Sequence, residues 1–283
     1  GVDAISFTRR GFKTEVGPAF DRQLDITSCT TCGQCIIHCP TGALRERSAV
    51  RRVWDMLNDP KIHVVAQTAP AVRVAIGEMF GAEPGGIFTG QMASALSMLG
   101  FDRVFDTNFG ADLTIIEEAT ELVHRLKTGG PLPLITSCSP GWIKYCEHFY
   151  PDLVPHVSTC RSPHEMLGSL IKTYYAEQYG IYPGSIAVVS IMPCTAKKFE
   201  ADRPEMETDG FRSVDAVLTV RELGRMIKTA GIDFLTLPPR EFDTPLGLST
   251  GAADIFGATG GVMEAALRTA AFYVTGKELA NID

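Results

Sequence analysis

Residues 185–200 read Ser185-Ile-Ala-Val-Val-Ser-Ile-Met192, then Pro193-Cys194-Thr195-Ala196-Lys197-Lys198-Phe199-Glu200. The first eight form a nearly continuous apolar, β-branched run of strand length, closed by proline. The pattern predicts a strand buried on both faces, and such strands belong to parallel sheets covered by helices. The polar tail then sets a thiol and two lysines where the strand ends. In open parallel sheets ligands bind beyond the carboxyl ends of the strands, so one stretch predicts both the fold and the place to look for chemistry.

Working outward, segments of strand and helix character alternate. His63–Thr68, Arg103–Asp106, Leu132–Ser137 and Val214–Val220 are predicted strands. Helical periodicity runs through Val50–Leu57, Val72–Phe80, Gln91–Leu99, Leu113–Leu126, Ile143–Phe149, His164–Tyr179, Arg221–Ala230 and Val262–Tyr273. Gly110, Gly129-Gly130 and Pro238-Pro239 read as loops. Strands separated by helices of this length imply crossover connections, hence an α/β fold with parallel sheets flanked by helices. Residues 1–47 differ: short β-like pieces at Ala4–Phe7 and Phe12–Val16 precede a cysteine-rich loop. Two units are therefore expected, 1–47 and 48–283.

The loop is Cys29-Thr-Thr-Cys32-Gly-Gln-Cys35-Ile-Ile-His-Cys39-Pro40. Cysteines at these spacings, closed by proline, form the bacterial ferredoxin pattern for a 4Fe–4S cluster. The short spacing lets one tight loop offer three sulfurs to three corners of a cubane. In two-cluster ferredoxins the fourth cysteine reaches a different cluster, so Cys39 predicts a second one. No partner run precedes it in a sequence that starts at Gly1, so the segment reads as part of a ferredoxin-like unit in a larger protein. A zinc knuckle or a disulfide pair is the competing reading, although zinc sites usually separate paired ligands by a long insert.

Composition narrows the class. The 283 residues are 45% hydrophobic and 21% charged, the profile of an ordinary soluble globular protein. A net charge of −7 gives no reason to expect nucleic acid or an anionic membrane as partner. No apolar stretch approaches the ~20 residues of a membrane helix. Eight cysteines are too few for a disulfide scaffold at this length, and their clustering points to metal in a reducing, cytoplasmic compartment.

Two further strand ends carry suitable residues: Thr136-Ser137-Cys138-Ser139-Pro140-Gly141-Trp142, and the small-residue turn Thr68-Ala69-Pro70. A lone buried cysteine is usually a small hydrophobe, but Cys138 and Cys194, each at a strand end near proline, favour a metal site together. Glu118, Glu121 and Arg125 fall three or four apart on one helix face; alone, that describes a solvated ion-pair face.

These motifs resemble the catalytic subunit of an FeFe-hydrogenase along essentially the whole chain. Family members carry T-S-C-C-P-x-W, then M-P-C-x-x-K-x-x-E, then M-A-C-x-x-G-C-x-x-G-G-G. The second is matched in full by Met192–Glu200, and Phe105–Ala111, Ile116–Thr120, Lys197–Pro204 and Ile255–Leu267 also read like the family. The resemblance implies the H-cluster, a 4Fe–4S cubane joined through a cysteine sulfur to a di-iron unit with CO, cyanide and a dithiolate, and reversible formation of H2 from protons. It implies Cys194 as a cubane ligand and Lys197 as donor of a charge-assisted hydrogen bond to an iron-bound cyanide. Ala69, Pro70, Pro163, Met192 and Phe256 would line the dry pocket. Cys138 would make the last proton transfer, with Glu118, Glu121, Arg125 and Ser158 completing the relay. Electrons would pass through the Cys29-Cys32-Cys35 centre. Their source would be ferredoxin or, because the region around Arg9-Arg10-Gly11-Phe12 resembles multimeric NAD(P)-linked hydrogenases, a flavin-bearing subunit of a multi-subunit complex.

Three departures qualify that expectation. Ser139 stands where the family has a cubane-binding cysteine, and a hydroxyl is far harder to deprotonate than a thiol of pKa ~8.5. Either Ser139 ligates weakly, Cys138 changes role, or the cubane is labile. The third motif does not occur before Asp283, and metal affinity depends on a completed site. The segment alone is therefore expected to be inactive, and the H-cluster is expected only in the complete protein. Ala71 and His164 replace a serine and a glutamine of the family. These departures keep a second expectation open: a hydrogenase-like redox or H2 sensor, or an iron–sulfur scaffold, without turnover. Cys146 and Cys160 lack ligand spacing and read as structural. Trp142 reads as a packing anchor, His38 as a residue able to tune the cluster through a hydrogen bond, and the other histidines as surface or packing residues. Gly257-Ala-Thr-Gly260-Gly261 does not fit a dinucleotide-binding fingerprint.

Overall fold

The computed structural model describes residues 2–244 and 249–278. An antiparallel hairpin, β1 (Ser6–Thr8) and β2 (Glu15–Gly17), and the one-turn helix α1 (Gln34–Ile37) make up the N-terminal unit. Then follow α2 (Val50–Leu57), β3 (His63–Thr68), α3 (Val72–Ala75), α4 (Thr89–Leu99), β4 (Arg103–Asp106) and α5 (Asn108–Thr128). The second half contains α6 (Pro140–Phe149), α7 (Pro163–Leu170), α8 (Ala176–Tyr179), β5 (Ile186–Met192) and α9 (Ala196–Ala201). A small hairpin, β6 (Glu207–Thr208) and β7 (Phe211–Arg212), precedes β8 (Ala216–Thr219), α10 (Val220–Thr229) and α11 (Gly261–Thr275).

The central sheet has the order β4-β3-β5-β8, with every pair parallel. All seven residues of β5 are buried, as expected of a strand with helices over both faces. Val65, Ala66, Val188, Val189, Ile191 and Leu218 form the middle of the core, with Leu96, Leu223 and Met226 covering it. The chain leaves β3 for β4 on one side and later enters β5 on the other, so a topological switch point falls between β3 and β5, where open sheets bind ligands. The Ala69 N–H donates to the Ile191 carbonyl at 3.0 Å and ties the two strand ends together.

Glu222 anchors the start of the larger unit. It completes a capping box with Thr219 on α10, accepts from the Ala49 N–H at 2.8 Å and pairs with Lys198 at 2.8 Å while fully buried.

Four local expectations differ from the structure. Leu132–Ser137 forms no strand, only a single parallel bridge between Ile135 and Val157; Pro131 and Pro133 remove backbone donors there. The N-terminal strands lie at 6–8 and 15–17, because Gly11–Lys13 turns as a 3₁₀ helix. The predicted helix at 164–179 is interrupted by a π turn over Ile171–Tyr175. Gly110 is not a loop residue but lies inside α5, where α7 comes so close that a β-carbon would sit 2.3 Å from the Pro163 carbonyl oxygen.

Candidate active site

α5 presents Glu118, Glu121 and Arg125 on one face, and the segment that follows the helix folds back against it. Thr136 Oγ1 donates to Glu118 Oε1 at 2.7 Å and lies 3.7 Å from Cys138 Sγ. Ser158 Oγ donates to Glu121 Oε2 at 2.8 Å. Arg125 Nη2 closes the series on Glu121 Oε1 at 2.6 Å, while its Nη1 holds the carbonyls of Pro131 and His156. One run thus joins Arg125, Glu121 and Ser158, and a second joins Glu118, Thr136 and Cys138.

Their electrostatics differ along the way. Burial pushes the Glu118 carboxyl up, against the bonds from Thr136 and the Ser137 backbone. Burial also opposes charge on Glu121, yet donors from Ser158, Arg125 and the Thr159 N–H hold it below the usual carboxylate range. Burial raises the Cys138 thiol. Two carboxyls driven apart in this way can divide the roles of proton acceptor and proton donor. Cys160 stands beside the series with its Sγ 3.7 Å from Glu121 Oε2, and burial pushes its thiol up to about 12. The structural reading of Cys160 therefore misses this neighbour. Cys146 is buried on α6, with its Sγ against the Tyr150 carbonyl at 3.4 Å.

The two cysteine-bearing turns meet. Lys197, on the first turn of α9, donates to the Cys138 carbonyl at 3.0 Å and pairs with Glu200 Oε2 at 2.7 Å. The same oxygen receives His164 Nε2 at 2.7 Å. Burial opposes charge on Glu200, but His164 and Lys197 outweigh it and hold the carboxyl down to about 2. His164 is thus no ordinary packing residue.

The cysteine loop docks on the same edge. Thr195 Oγ1 donates to the Thr31 carbonyl at 2.8 Å, and Gly33, at φ +77°, lies so close to Thr195 that a β-carbon would be 2.8 Å from that hydroxyl. Cys29, Cys32 and Cys35 line one cavity of about 700 Å³ that Thr195, Lys198 and Phe199 also border. Three sulfurs around one cavity fit a 4Fe–4S cluster. Cys39 is not among those lining residues, and its Sγ sits 3.5 Å from Thr41 Oγ1.

At the switch point, Ala69 and Met192 are buried and Pro70 is exposed on the turn after β3, while Pro163, at the start of α7, and Phe256 are half-buried. Phe256 lies on a 3₁₀ turn (Ala252–Gly257) tied to the start of α5 by Asn108 Nδ2 donating to Asp254 Oδ1 at 3.2 Å. The buried hydroxyls of Thr68 and Ser162, next to Ala69 and Pro163, have no hydrogen-bond partner. A polar, ligand-bearing group at this edge would satisfy them, so these residues fit the implied pocket. Ser139 is exposed at the start of α6, and its hydroxyl makes no capping bond. Trp142 is half-buried, with its ring centroid 6.1 Å from that of Tyr145.

Sequence reasoning quoted Thr136 and Glu200 only as motif letters. Thr136 has a usable signal, a hydroxyl two residues before the Cys138 thiol. Glu165 carried none. Among the described residues, no helix is long and apolar enough to cross a membrane.

Comparison with known proteins follows the same lines. The chain is 52% identical over 285 residues to the NADP-reducing hydrogenase subunit HndD of Solidesulfovibrio fructosivorans, a match covering 99% of this chain and 49% of that one. It is 54% identical over 290 residues to the periplasmic [Fe] hydrogenase large subunit of Nitratidesulfovibrio vulgaris, covering 90% and 69%. The chain thus spans about half the length of HndD. Its fold matches a solved variant of apo [FeFe]-hydrogenase HydA1 from Chlamydomonas reinhardtii with a TM-score of 0.76 at 50% identity, over 84% of this chain and 61% of that one. A 4Fe-4S binding domain matches residues 23–45, and the C-terminal domain of the iron only hydrogenase large subunit matches residues 62–283. The chain belongs to the iron only hydrogenase large subunit family.

Proposed function

We propose that the chain is the relay and cluster-binding part of an FeFe-hydrogenase subunit that interconverts H2 with protons and electrons. The observation that carries this reading is that two hydrogen-bonded runs lie along one face of α5, Arg125–Glu121–Ser158 and Glu118–Thr136–Cys138. An isolated ion-pair face would not need a buried acid with a raised pKa at one end and a thiol at the other.

The division of labour follows from the residues. Residues 1–47 act as the electron-entry unit and 48–283 as part of the catalytic unit. Cys29, Cys32 and Cys35 hold a 4Fe–4S cluster, and Cys39 serves a neighbouring one. Cys194, with Ser139 as a weak oxygen ligand, holds the cubane of the H-cluster in the complete protein. When bound, the di-iron unit supplies the metal at which H2 is formed or split. Ala69, Pro70, Pro163, Met192 and Phe256 line its pocket and exclude water. Lys197 offers its ammonium to that pocket while Glu200 holds it in place. Glu121 takes a proton near Arg125, Ser158 hands it inward, and Glu118, whose carboxyl burial raises, passes it through Thr136 to Cys138. The two hydrogen-bonded runs place donors and acceptors for this exchange.

Electrons come from ferredoxin or an NAD(P)-linked flavoprotein partner in a multi-subunit assembly, with H2 and protons as the small substrates. The name of HndD supports the nicotinamide-linked choice. Free cysteines throughout support a reducing, cytoplasmic setting. The test is H2 evolution by the complete, cluster-loaded protein with a reduced dye, alongside Ser139→Cys. H2 from the wild type supports turnover. Full iron content with no H2 from either protein would leave the sensor or scaffold reading in its place.

A further inference from the structure

Behind Lys197 lies a group of titratable residues that the relay does not use. His164, Glu165 and Glu200 bring a ring nitrogen and two carboxylates within 4.8 Å of one another, all buried. His164 Nε2 is 2.7 Å from Glu200 Oε2 and 3.3 Å from Glu165 Oε1, and its Nδ1 is 3.2 Å from Ser190 Oγ. Glu165 is fully buried, and neither of its carboxyl oxygens has a hydrogen-bond partner.

The charges decide what Glu165 can be. Lys197 is the cation of the group, and it sits on Glu200 at 2.7 Å. Arg161 faces Glu165, but its guanidinium is directed at Thr208 Oγ1, Ser213 Oγ and the carbonyls of Glu205 and Glu207. Asp215 adds negative charge and is itself held by Lys172 at 2.9 Å. A second carboxylate anion here would be buried without donor or counter-ion, an arrangement proteins avoid by keeping the proton. It would also compete with Glu200 for the one His164 N–H.

We propose that Glu165 is a neutral, proton-holding positioning residue. Its neutrality leaves Glu200 as the single anion that His164 and Lys197 share, and so fixes the Lys197 ammonium on the Cys138 carbonyl. Burial first, and the Glu200 charge second, push its carboxyl up to about 8. Above that pH the ionised Glu165 draws the His164 N–H toward itself, Glu200 loses a donor, and Lys197 is held less firmly. The protonation and the geometry stand independently of the hydrogenase reading; only their bearing on turnover rests on it.

The experiment uses the full chain carrying glutamate labelled with ¹³C at the side-chain carboxyl, and in a second sample cysteine labelled with ¹³C at the carbonyl, followed by infrared and carbon NMR spectroscopy from neutral to alkaline pH. The expected result is a protonated-carboxyl carbonyl band that moves with the label and fades with a midpoint of about 8. The band is absent from Glu165→Gln and survives in Glu118→Gln. The Cys138 carbonyl resonance, which reports the Lys197 bond, follows the same midpoint in the wild type and loses that dependence in Glu165→Gln. The wild-type titration does not depend on any variant folding. A Glu165 resonance that titrates in the ordinary carboxylate range overturns the proposal, as does a Cys138 carbonyl indifferent to Glu165. Displacement of the proton by added zinc at neutral pH would overturn it too, by making the group a metal site.

Discussion

Glu118 and Cys138 are joined by a single hydroxyl. Thr136 Oγ1 donates to Glu118 Oε1 at 2.7 Å and stands 3.7 Å from Cys138 Sγ, with no other described side chain bridging the two. Burial raises the carboxyl on one side and the thiol on the other. Thr136 is then the residue whose loss separates them most cleanly.

Thr136→Val keeps the shape and removes the hydroxyl. Turnover of the complete, loaded protein should fall roughly 10²-fold, the lower end of what positioned proton transfer contributes. Iron content should not change. The check is dye-linked H2 evolution beside an iron assay. A rate within twofold of wild type would show that protons reach Cys138 without Thr136.

Much of this site was legible in the sequence, and the reasons differ by residue. Ser185–Glu200 combines a continuous strand pattern with an abrupt polar tail, so the strand, its end and the helix after it could be placed together. Glu118, Glu121 and Arg125 share helical spacing. Thr136 and Ser158 do not share an element with them; they arrive through the segment after α5, whose path was misread as a strand. Leu132–Ser137 has strand-like residues, but prolines at 131 and 133 leave it too few donors for a ladder. Gly110 looked like a chain breaker because sequence cannot register the Pro163 carbonyl packed 2.3 Å from where a β-carbon would be. Glu165 gave no signal, since its character comes from burial and from the neighbours that surround it.

Stability should respond to acid through Glu200. Its folded pKa of about 2 lies below the ordinary ~4.3. A depressed carboxyl contributes fully above the unfolded value and loses that contribution as pH falls through the folded one. Wild-type stability should therefore drop between about pH 4 and pH 2 by roughly 3 kcal/mol from this group. Glu200→Gln should lose a similar amount at neutral pH and show a flatter acid limb in urea titrations. Equal acid limbs for the two proteins would contradict the assignment.

Glu165 has the opposite sign. Its carboxyl is raised to about 8, so the contribution is complete below ~4.3 and is lost as pH rises through 8. Glu165→Gln, which cannot ionise, should lie level with the wild type near pH 4, exceed it increasingly from there to about pH 8, and keep a constant lead above that. Urea midpoints measured across that range give the comparison. A constant offset between the two curves at every pH would mean that Glu165 does not titrate in the folded protein as described.

Gly110→Ala tests the helix contact that sequence did not anticipate. The added methyl would meet the Pro163 carbonyl oxygen at 2.3 Å and Leu167 Cβ at 3.0 Å, and neither can rotate away. α5 and α7 would have to separate, at a cost of about 3 kcal/mol by the usual scale of overpacking. Because α5 carries Glu118 and α7 begins at Pro163, thermal unfolding should shift down and proton transfer should slow together. An unchanged melting temperature would mean that the two helices are less tightly apposed.

Iron binding by the N-terminal loop separates the cysteines into two groups. Cys29, Cys32 and Cys35 share one cavity, whereas Cys146 is buried on α6 with its thiol turned to a carbonyl. A 4Fe–4S cluster needs thiolate at nearly every corner, so Cys29→Ala or Cys35→Ala should lower iron and acid-labile sulfide by about four atoms each per chain after anaerobic reconstitution. Cys146→Ala should leave both unchanged. Gly33→Ala adds a finer test: its β-carbon would press on Thr195 Oγ1 at 2.8 Å at a φ that L-residues rarely adopt. That change should keep the iron but loosen the Thr195–Thr31 bond, so the cluster signal in electron paramagnetic resonance should broaden. Loss of iron in Cys146→Ala, or its retention in Cys35→Ala, would move the cluster away from this loop.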